Sequence, residues 1–165
     1  MSPTVITVLA FVVGLAAAYG AARRAYGVAL GLWWVNRFLD GFDGTLARVQ
    51  GTASPFGAYL DIVLDFVVYA AIPLGLVIAA TDPRAAMAAI LLLASFYVNA
   101  GTWMTLAATP DKSPSGLIAG AETVVFYSLF LALPTHLVLL FRIMTGLVAL
   151  TALQRLVWAT RHLAR

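Results

Sequence analysis

The sequence predicts an all-α integral membrane protein, with six transmembrane helices around a polar cavity that faces the cytoplasm. Of its 165 residues, 62% are hydrophobic and only 10% are charged, which is typical of a polytopic membrane protein rather than a soluble domain. The apolar residues fall into six segments, each close to the length of about 20 residues that a spanning helix needs. The few acidic residues are concentrated in two of these segments, which predicts a polar cavity between them.

Charged residues and prolines mark the ends of the predicted helices. Arg23 follows the first helix, Asp82 follows the third, and Pro134 stops the fifth. The predicted spans are residues 3–21, 26–49, 54–81, 84–108, 116–133 and 136–162. The first segment lacks the basic region and cleavage site of a signal peptide, so we expect it to remain as a membrane helix. No linker interrupts the chain, and residues 1–165 are predicted to form a single domain.

Composition and charge exclude several classes of site. The chain has no cysteine, which rules out disulfides and thiolate metal ligands. Its net charge of +3 comes from scattered arginines rather than a basic run, so nothing favours nucleic-acid binding.

Six spans place both termini on one side, and a small excess of Lys and Arg near the helix ends predicts that this side is cytoplasmic. The turn between the second and third helices lies on the same side.

Four of the seven acidic residues lie in one stretch of two predicted helices. Asp40 and Asp43 share one face of the second helix, and Asp61 and Asp65 share one face of the third. If residues 51–55 turn the chain, the two helices become antiparallel neighbours and the carboxylates converge. Crowded carboxylates must take up protons or bind cations, and all-oxygen ligands favour Mg²⁺, Mn²⁺ or Ca²⁺.

Small residues and one arginine accompany these carboxylates. Gly44, Ala47 and Gly57 keep the facing helix surfaces thin, which predicts close packing or room for a flat ligand. Arg48 follows Gly44 by one helical turn and supplies a fixed cation suited to bidentate contact with phosphate. We therefore expect a phosphate-bearing ligand beside the aspartates.

The pattern D-x2-D-G-x2-A-R-x8-G-x3-D-x3-D is matched at all eight fixed positions, residues 40, 43, 44, 47, 48, 57, 61 and 65. It resembles the motif of the CDP-alcohol phosphotransferases (CDP-alcohol phosphatidyltransferases), membrane enzymes of phospholipid synthesis. The resemblance implies transfer of a phosphatidyl group from a CDP-alcohol, with CDP-diacylglycerol the favoured donor, to an alcohol, with release of CMP. It also implies two Mg²⁺ or Mn²⁺ ions and a homodimer. The acceptor stays open: glycerol 3-phosphate, an inositol phosphate, serine or another alcohol.

The same resemblance implies residue roles. Asp40, Asp43 and Asp61 would bind metal, and Asp65 would be the general base and a further ligand. The implied contacts to the CDP-alcohol are Gly44, Arg48, Ser54 and the start of the first helix, Pro3, Thr4, Val5 and Ile6. Relatives carry an amphipathic helix before the first span; only two residues precede Pro3 here, so we expect that helix to be missing.

Three further ionisable residues fall within predicted spans and are functional candidates for that reason. Glu122 and Arg155 each lie about 10 Å from the cytoplasmic helix ends, at about 1.5 Å per residue, near the depth expected for the aspartates. Glu122 either lines an acceptor pocket or pairs with an arginine, and Arg155 is a similar candidate. Arg37 either contacts an acceptor phosphate or balances the aspartates.

An alternative function is a divalent-cation transporter that uses the aspartates as its pathway. A transporter needs polar groups across the whole membrane. The far ends of three helices, residues 74–80, 86–93 and 129–133, contain no polar side chain. This pattern favours a pocket open to one side, and hence the enzyme.

Overall fold

The computed structural model describes residues 2–108 and 120–163. These residues form six α-helices and a short 3₁₀ helix, Pro134–His136, and they contain no β-strand. The helices are α1 (Pro3–Ala22), α2 (Tyr26–Val49), α3 (Pro55–Ala79), α4 (Arg84–Ala107), α5 (Ala121–Ala132) and α6 (Leu137–His162). The chain divides into two compact units, the first ending at Thr81 and the second beginning at Asp82.

The observed helices confirm the predicted all-α architecture. The bounds of α2 agree with the prediction at both ends, and those of α1, α3, α4 and α6 differ by no more than two residues. The predicted start of the fifth helix at residue 116 lies outside the described residues, within which α5 begins at Ala121. Four helical segments are long and apolar enough to cross a membrane: α1, α3, α4 and Pro134–His162. The protein is therefore an integral membrane protein.

In the first unit, α1 packs along both α2 and α3. The helices α2 and α3 meet through their side chains, as in the ion pair of Arg37 with Asp65 and the edge contact of the Trp33 and Tyr69 rings. Their backbones lie less close to each other than each lies to α1. The physical reason is the small side chains on α1, where Ala17 and Ala21 are completely buried. Such residues let a helix lie close to two partners at once.

Two glycines mark the closest approaches of α1 and α3. A Cβ on Gly14 of α1 would collide with the side chain of Val68. A Cβ on Gly75 of α3 would overlap the backbone carbonyl oxygen of Ala18. A Cβ at Gly14 would force the Val68 side chain to shift, whereas at Gly75 the obstacle is backbone, so glycine permits the close packing of α1 and α3.

The turns of the first unit depend on specific residues. Arg24, in the α1–α2 turn, has a φ of 61° and donates from Nε to the carbonyl oxygen of Ala79 at 3.1 Å. Gly51, after α2, has a φ of 64°, a conformation that suits glycine. Ser54 caps α3, since its Oγ accepts a hydrogen bond of 3.0 Å from the backbone N–H of Gly57. These turns set where the charged faces of α2 and α3 begin.

In the second unit, α4 and α6 pack along each other, and α5 packs against α6. An aromatic cluster forms the core, with the rings of Phe130 and Phe141 edge to face at 4.8 Å between centroids. Asp82 precedes α4, and its hydrogen bonds from Arg84 hold the pKa of the Asp82 carboxyl below its ordinary value.

Candidate active site

A small cavity lies among the three helices of the first unit. Its lining combines apolar residues with three of the four motif aspartates, Asp40, Asp61 and Asp65. By helix, the lining residues are Thr7, Ala10 and Phe11 of α1, Asn36 and Asp40 of α2, and Asp61, Leu64, Asp65 and Val68 of α3. The two halves of the motif therefore meet against a wall supplied by α1.

Asp40 of α2 and Asp61 of α3 line this cavity together. The Oδ1 atom of Asp61 is buried, and none of the described residues is a hydrogen-bond partner for it. Carboxylates that share one small cavity repel each other unless protons or cations compensate their charge. Asp61 is therefore the member of this pair that most needs a positive charge nearby.

Asp65 is held by Arg37. The guanidinium donates to both carboxylate oxygens of Asp65, with Nη1 3.1 Å from Oδ2. The same Nη1 lies 3.4 Å from Oδ2 of Asp40. Only 8% of the Arg37 side chain is exposed, and its guanidinium lies 4.8 Å from the centre of the Trp33 ring. Arg37 is therefore a buried cation that touches two of the motif aspartates.

Other side chains fix Arg37 in this position. Its Nε donates to Oδ1 of Asn36 at 2.8 Å, and Nη1 donates to the hydroxyl of Tyr69 at 3.0 Å. Asn36 is itself anchored, because its Nδ2 donates to the carbonyl oxygen of Ala10 on α1 at 2.7 Å. The arginine, its carboxylate partners and α1 thus form one connected polar network in the membrane.

Asp43 has a hydrogen-bond partner on α1. It is 4% exposed, and its Oδ2 accepts a hydrogen bond of 2.6 Å from Oγ1 of Thr7. Of the four motif aspartates, it is the one that does not line the described cavity. The hydrogen bond from Thr7 restricts the orientation of the Asp43 carboxylate.

The oxygen atoms of these carboxylates are chemically suitable ligands for a hard divalent cation. Among the described residues, no three Asp, Glu or His side chains are arranged closely enough to hold a metal ion as they stand. The buried Oδ1 of Asp61, which has no hydrogen-bond partner among the described residues, nevertheless marks a place in the cavity where a cation would remove an unfavourable interaction. Oxygen-only ligands are those that Mg²⁺ and Mn²⁺ prefer.

The residues predicted to contact the CDP moiety lie near the ends of α2 and α3. Arg48 is exposed and donates from Nη2 to the hydroxyl of Thr45 at 3.3 Å. A Cβ on Gly44 would be 3.7 Å from Nη1 of Arg48, so the arginine lies over the glycine. Ser54 is also exposed, at the start of α3. These positions remain predictions for donor binding.

At the start of α1, the four predicted residues differ in exposure. Thr4 and Val5 are exposed and Pro3 is half-buried, but Ile6 is only 3% exposed and belongs to the core. Oγ1 of Thr7 lies 3.1 Å from the carbonyl oxygen of Pro3. Contact with the donor stays a prediction for this segment.

At Gly57, an added Cβ would meet Oγ of Ser54 at 3.2 Å and, among the atoms described, no group of a neighbouring helix. The close approach of another backbone therefore does not occur there, because α2 and α3 each pack along α1. Room for a flat ligand beside Gly57 stays a prediction. Ala47 is half-buried on α2. The close approaches belong instead to Gly14 and Gly75.

The second unit carries the two remaining candidates. Arg155 of α6 is 3% exposed, and its Nη1 donates to Oδ1 of Asn99 on α4 at 2.8 Å. Glu122 is exposed in the first turn of α5 and accepts a hydrogen bond of 3.4 Å from the backbone N–H of Gly120. Roles for both residues in acceptor binding remain predictions.

Sequence reasoning missed three residues of the site: Thr7, Asn36 and Tyr69. A usable signal existed for Tyr69, since it follows Asp65 by one helical turn and so shares its face. Asn36 and Thr7 gave weaker signals, as polar side chains within apolar segments. Their roles depend on α1 packing beside both motif helices, which no spacing within the motif reveals.

Comparison with known proteins decides the family. The sequence profile of the CDP-alcohol phosphatidyltransferases matches residues 1–160. This chain belongs to the CDP-alcohol phosphatidyltransferase family. It is therefore a membrane transferase, and the cation-transporter alternative is not retained. An inner membrane protein of Escherichia coli (strain K12), YnjF, is 31% identical over 173 residues, covering 96% of this chain and 82% of the relative.

Other relatives agree with this family assignment. The bifunctional IPC transferase and DIPP synthase of Aquifex aeolicus (strain VF5) is 44% identical over 66 residues, which is 39% of this chain and 15% of that protein. The phosphatidylinositol phosphate synthase of Mycobacterium tuberculosis with CDP-DAG bound has a similar fold, with a TM-score of 0.83 at 22% identity, covering 97% of this chain and 87% of that one. The same synthase in complex with manganese and citrate gives a TM-score of 0.81 at 22% identity, covering 96% and 83%. At this identity the likeness establishes the fold.

Proposed function

We propose that this phosphatidyltransferase uses CDP-diacylglycerol as donor and two divalent cations, Mg²⁺ or Mn²⁺, held by the motif aspartates. The observation that carries the proposal is the meeting of Asp40, Asp61 and Asp65 in one cavity, where a buried oxygen of Asp61 has no hydrogen-bond partner in the described part of the chain. The structures of the mycobacterial synthase contain CDP-DAG in one case and manganese in another, which supports both parts. The acceptor is a small alcohol.

The reaction requires one bond to form and one to break. The acceptor hydroxyl oxygen attacks the β-phosphorus of the donor, and the bond from this phosphorus to the bridging oxygen breaks. CMP leaves with the bridging oxygen, and a phosphodiester forms. Phosphoryl transfer depends mainly on positioning and charge neutralisation. A divalent cation supplies that neutralisation by holding phosphate oxygens and stabilising the leaving group.

The chain's own residues would divide the remaining tasks. Asp40, Asp43 and Asp61 would hold the cations, and Asp65 would accept the proton of the acceptor hydroxyl and share in the metal site. An oxygen of Asp65 that accepts from Arg37 still has a second lone pair, so the ion pair does not prevent proton transfer. Carboxylates are common general bases when they lie within hydrogen-bonding reach of the proton.

The donor's cytidine and phosphates would lie towards the exposed ends of α2 and α3. Arg48 lies over Gly44 there and presents an exposed guanidinium suited to phosphate. Ser54 and the residues Pro3, Thr4, Val5 and Ile6 would line the same end, with Ile6 acting through packing. Glu122 and Arg155 are proposed for the acceptor pocket. The predicted single domain, cytoplasmic orientation and homodimer belong to the same proposal.

The test is release of CMP from CDP-diacylglycerol by purified protein, measured with and without Mg²⁺ against a panel of alcohol acceptors. We expect activity with one class of acceptor and none in excess chelator. Asp61→Asn should lower the rate by orders of magnitude because a metal ligand is lost. Full activity in chelator would overturn the metal-dependent mechanism, and no CMP release with any acceptor would overturn the choice of donor.

A further inference from the structure

Protein side chains surround the guanidinium of Arg37. Its guanidinium binds both oxygens of Asp65, reaches Asp40 at 3.4 Å, and also donates to Asn36 and Tyr69. Nearly all its N–H groups are thereby used. An acceptor phosphate would find few donors left on this side chain. Its role must therefore concern the carboxylates it already holds.

The position of Arg37 bears directly on cation binding. Asp40 and Asp65 line the same cavity as Asp61, and they are the two aspartates that Arg37 contacts. A divalent cation that draws on these carboxylates must share them with a fixed positive charge or displace it. At such short range, and with 8% of the side chain exposed, solvent screens this repulsion poorly.

We propose that Arg37 is a resident cation of the carboxylate site: it positions Asp65 and Asp40 when no metal is bound, and it weakens and thereby tunes the binding of divalent cations. The inference rests on the proposed function, in which these aspartates hold metal. It makes Arg37 a positioning residue that does not touch the substrate. The bidentate geometry suits this role, since it fixes the orientation of the Asp65 carboxylate as well as its charge.

The test measures Mn²⁺ binding in the absence of nucleotide, by titration of full-length protein in lipid nanodiscs, together with thermal unfolding in chelator and in Mn²⁺. In Arg37→Met we expect the Kd for Mn²⁺ to fall at least about tenfold. A tenfold change in Kd equals about 1.4 kcal/mol. This is less than the repulsion expected between a unit charge and a nearby divalent ion, so tenfold is a modest expectation. The metal-free variant should unfold at a lower temperature and gain more from Mn²⁺ than the parent does.

Three further variants make the result specific. Arg37→Lys keeps the charge without the fork and should give an intermediate Kd. Tyr69→Phe removes one hydroxyl that holds Arg37 and should tighten Mn²⁺ binding by a smaller factor. Arg84→Met is the matched control: it removes an arginine whose recorded partner is Asp82, outside the proposed site, and the Kd should not change.

The outcomes separate this inference from the proposed function. If the parent binds no Mn²⁺, both fall. If the parent binds Mn²⁺ and folded Arg37→Met binds it equally or more weakly, only the inference falls. Should Arg37→Met fail to fold, Tyr69→Phe decides, and a Kd equal to that of the parent overturns the inference.

Discussion

Thr7→Val tests how much of the site depends on a single hydroxyl of α1. Oγ1 of Thr7 donates to Oδ2 of Asp43 at 2.6 Å, and Asp43 is only 4% exposed. Valine keeps the shape of threonine and removes the donor. Because a hydrogen bond to a charged group contributes about 1.5–3 kcal/mol, we expect the free energy of unfolding to fall by an amount in this range.

The same substitution should affect the metal site more than the fold. The hydroxyl orients a proposed ligand, and loss of such an outer partner typically costs about 10- to 100-fold in metal affinity or activity. Mn²⁺ titration and Mg²⁺-dependent CMP release measure this loss, while chemical unfolding in detergent measures stability. Thr7→Ser keeps the hydroxyl and is the matched control. A valine variant with the Mn²⁺ affinity and stability of the parent would refute this account of Asp43.

Three other outcomes are expected. Gly75→Val should cost about 1–3 kcal/mol or more, because its Cβ would overlap the carbonyl oxygen of Ala18; Gly101→Val, in open space, is the control for folded yield. Asp65→Asn should keep most of its affinity for donor at saturating Mg²⁺ and lose about 10²- to 10⁴-fold in turnover, whereas equal loss of binding in Asp61→Asn and Asp65→Asn would make Asp65 only a ligand. In chelator, thermal unfolding should show that Asp61→Asn is no less stable than the parent and that Asp65→Asn is less stable.

The sequence predicted the helices and the meeting of the aspartates for clear physical reasons. Arginine, proline and glycine punctuate long apolar runs, so the ends of α2 could be placed correctly at Tyr26 and Val49. The fixed rise of a helix placed Asp40 and Asp61 at similar depth, and the structure brings both to one cavity. Regular geometry within a helix is thus readable from spacing alone.

The role of α1 could not be read in the same way. Its side chains are small or apolar on every face, so no periodicity indicates which face packs against which neighbour. The choice is made by close approaches at Gly14 and Gly75, which depend on two helices at once. The contact between Arg37 and Asp65 was closer to being predictable. Arg37 lies one helical turn from Asp40 and Asp65 lies one turn from Asp61, and the helical rise already places Asp40 and Asp61 at similar depth.

The four aspartates differ in what compensates their charge, and this difference decides what each substitution does. Asp43 has a hydroxyl partner and Asp65 has a guanidinium, so the protein already stabilises both. Asp40 lies 3.4 Å from the same guanidinium, and one buried oxygen of Asp61 has no hydrogen-bond partner among the described residues. Removing charge from Asp61 therefore relieves a repulsion, whereas removing charge from Asp65 leaves Arg37 buried with a weaker partner. A site that is unfavourable in the empty protein and favourable with a cation bound is the pattern expected where selection acts on catalysis at the expense of stability.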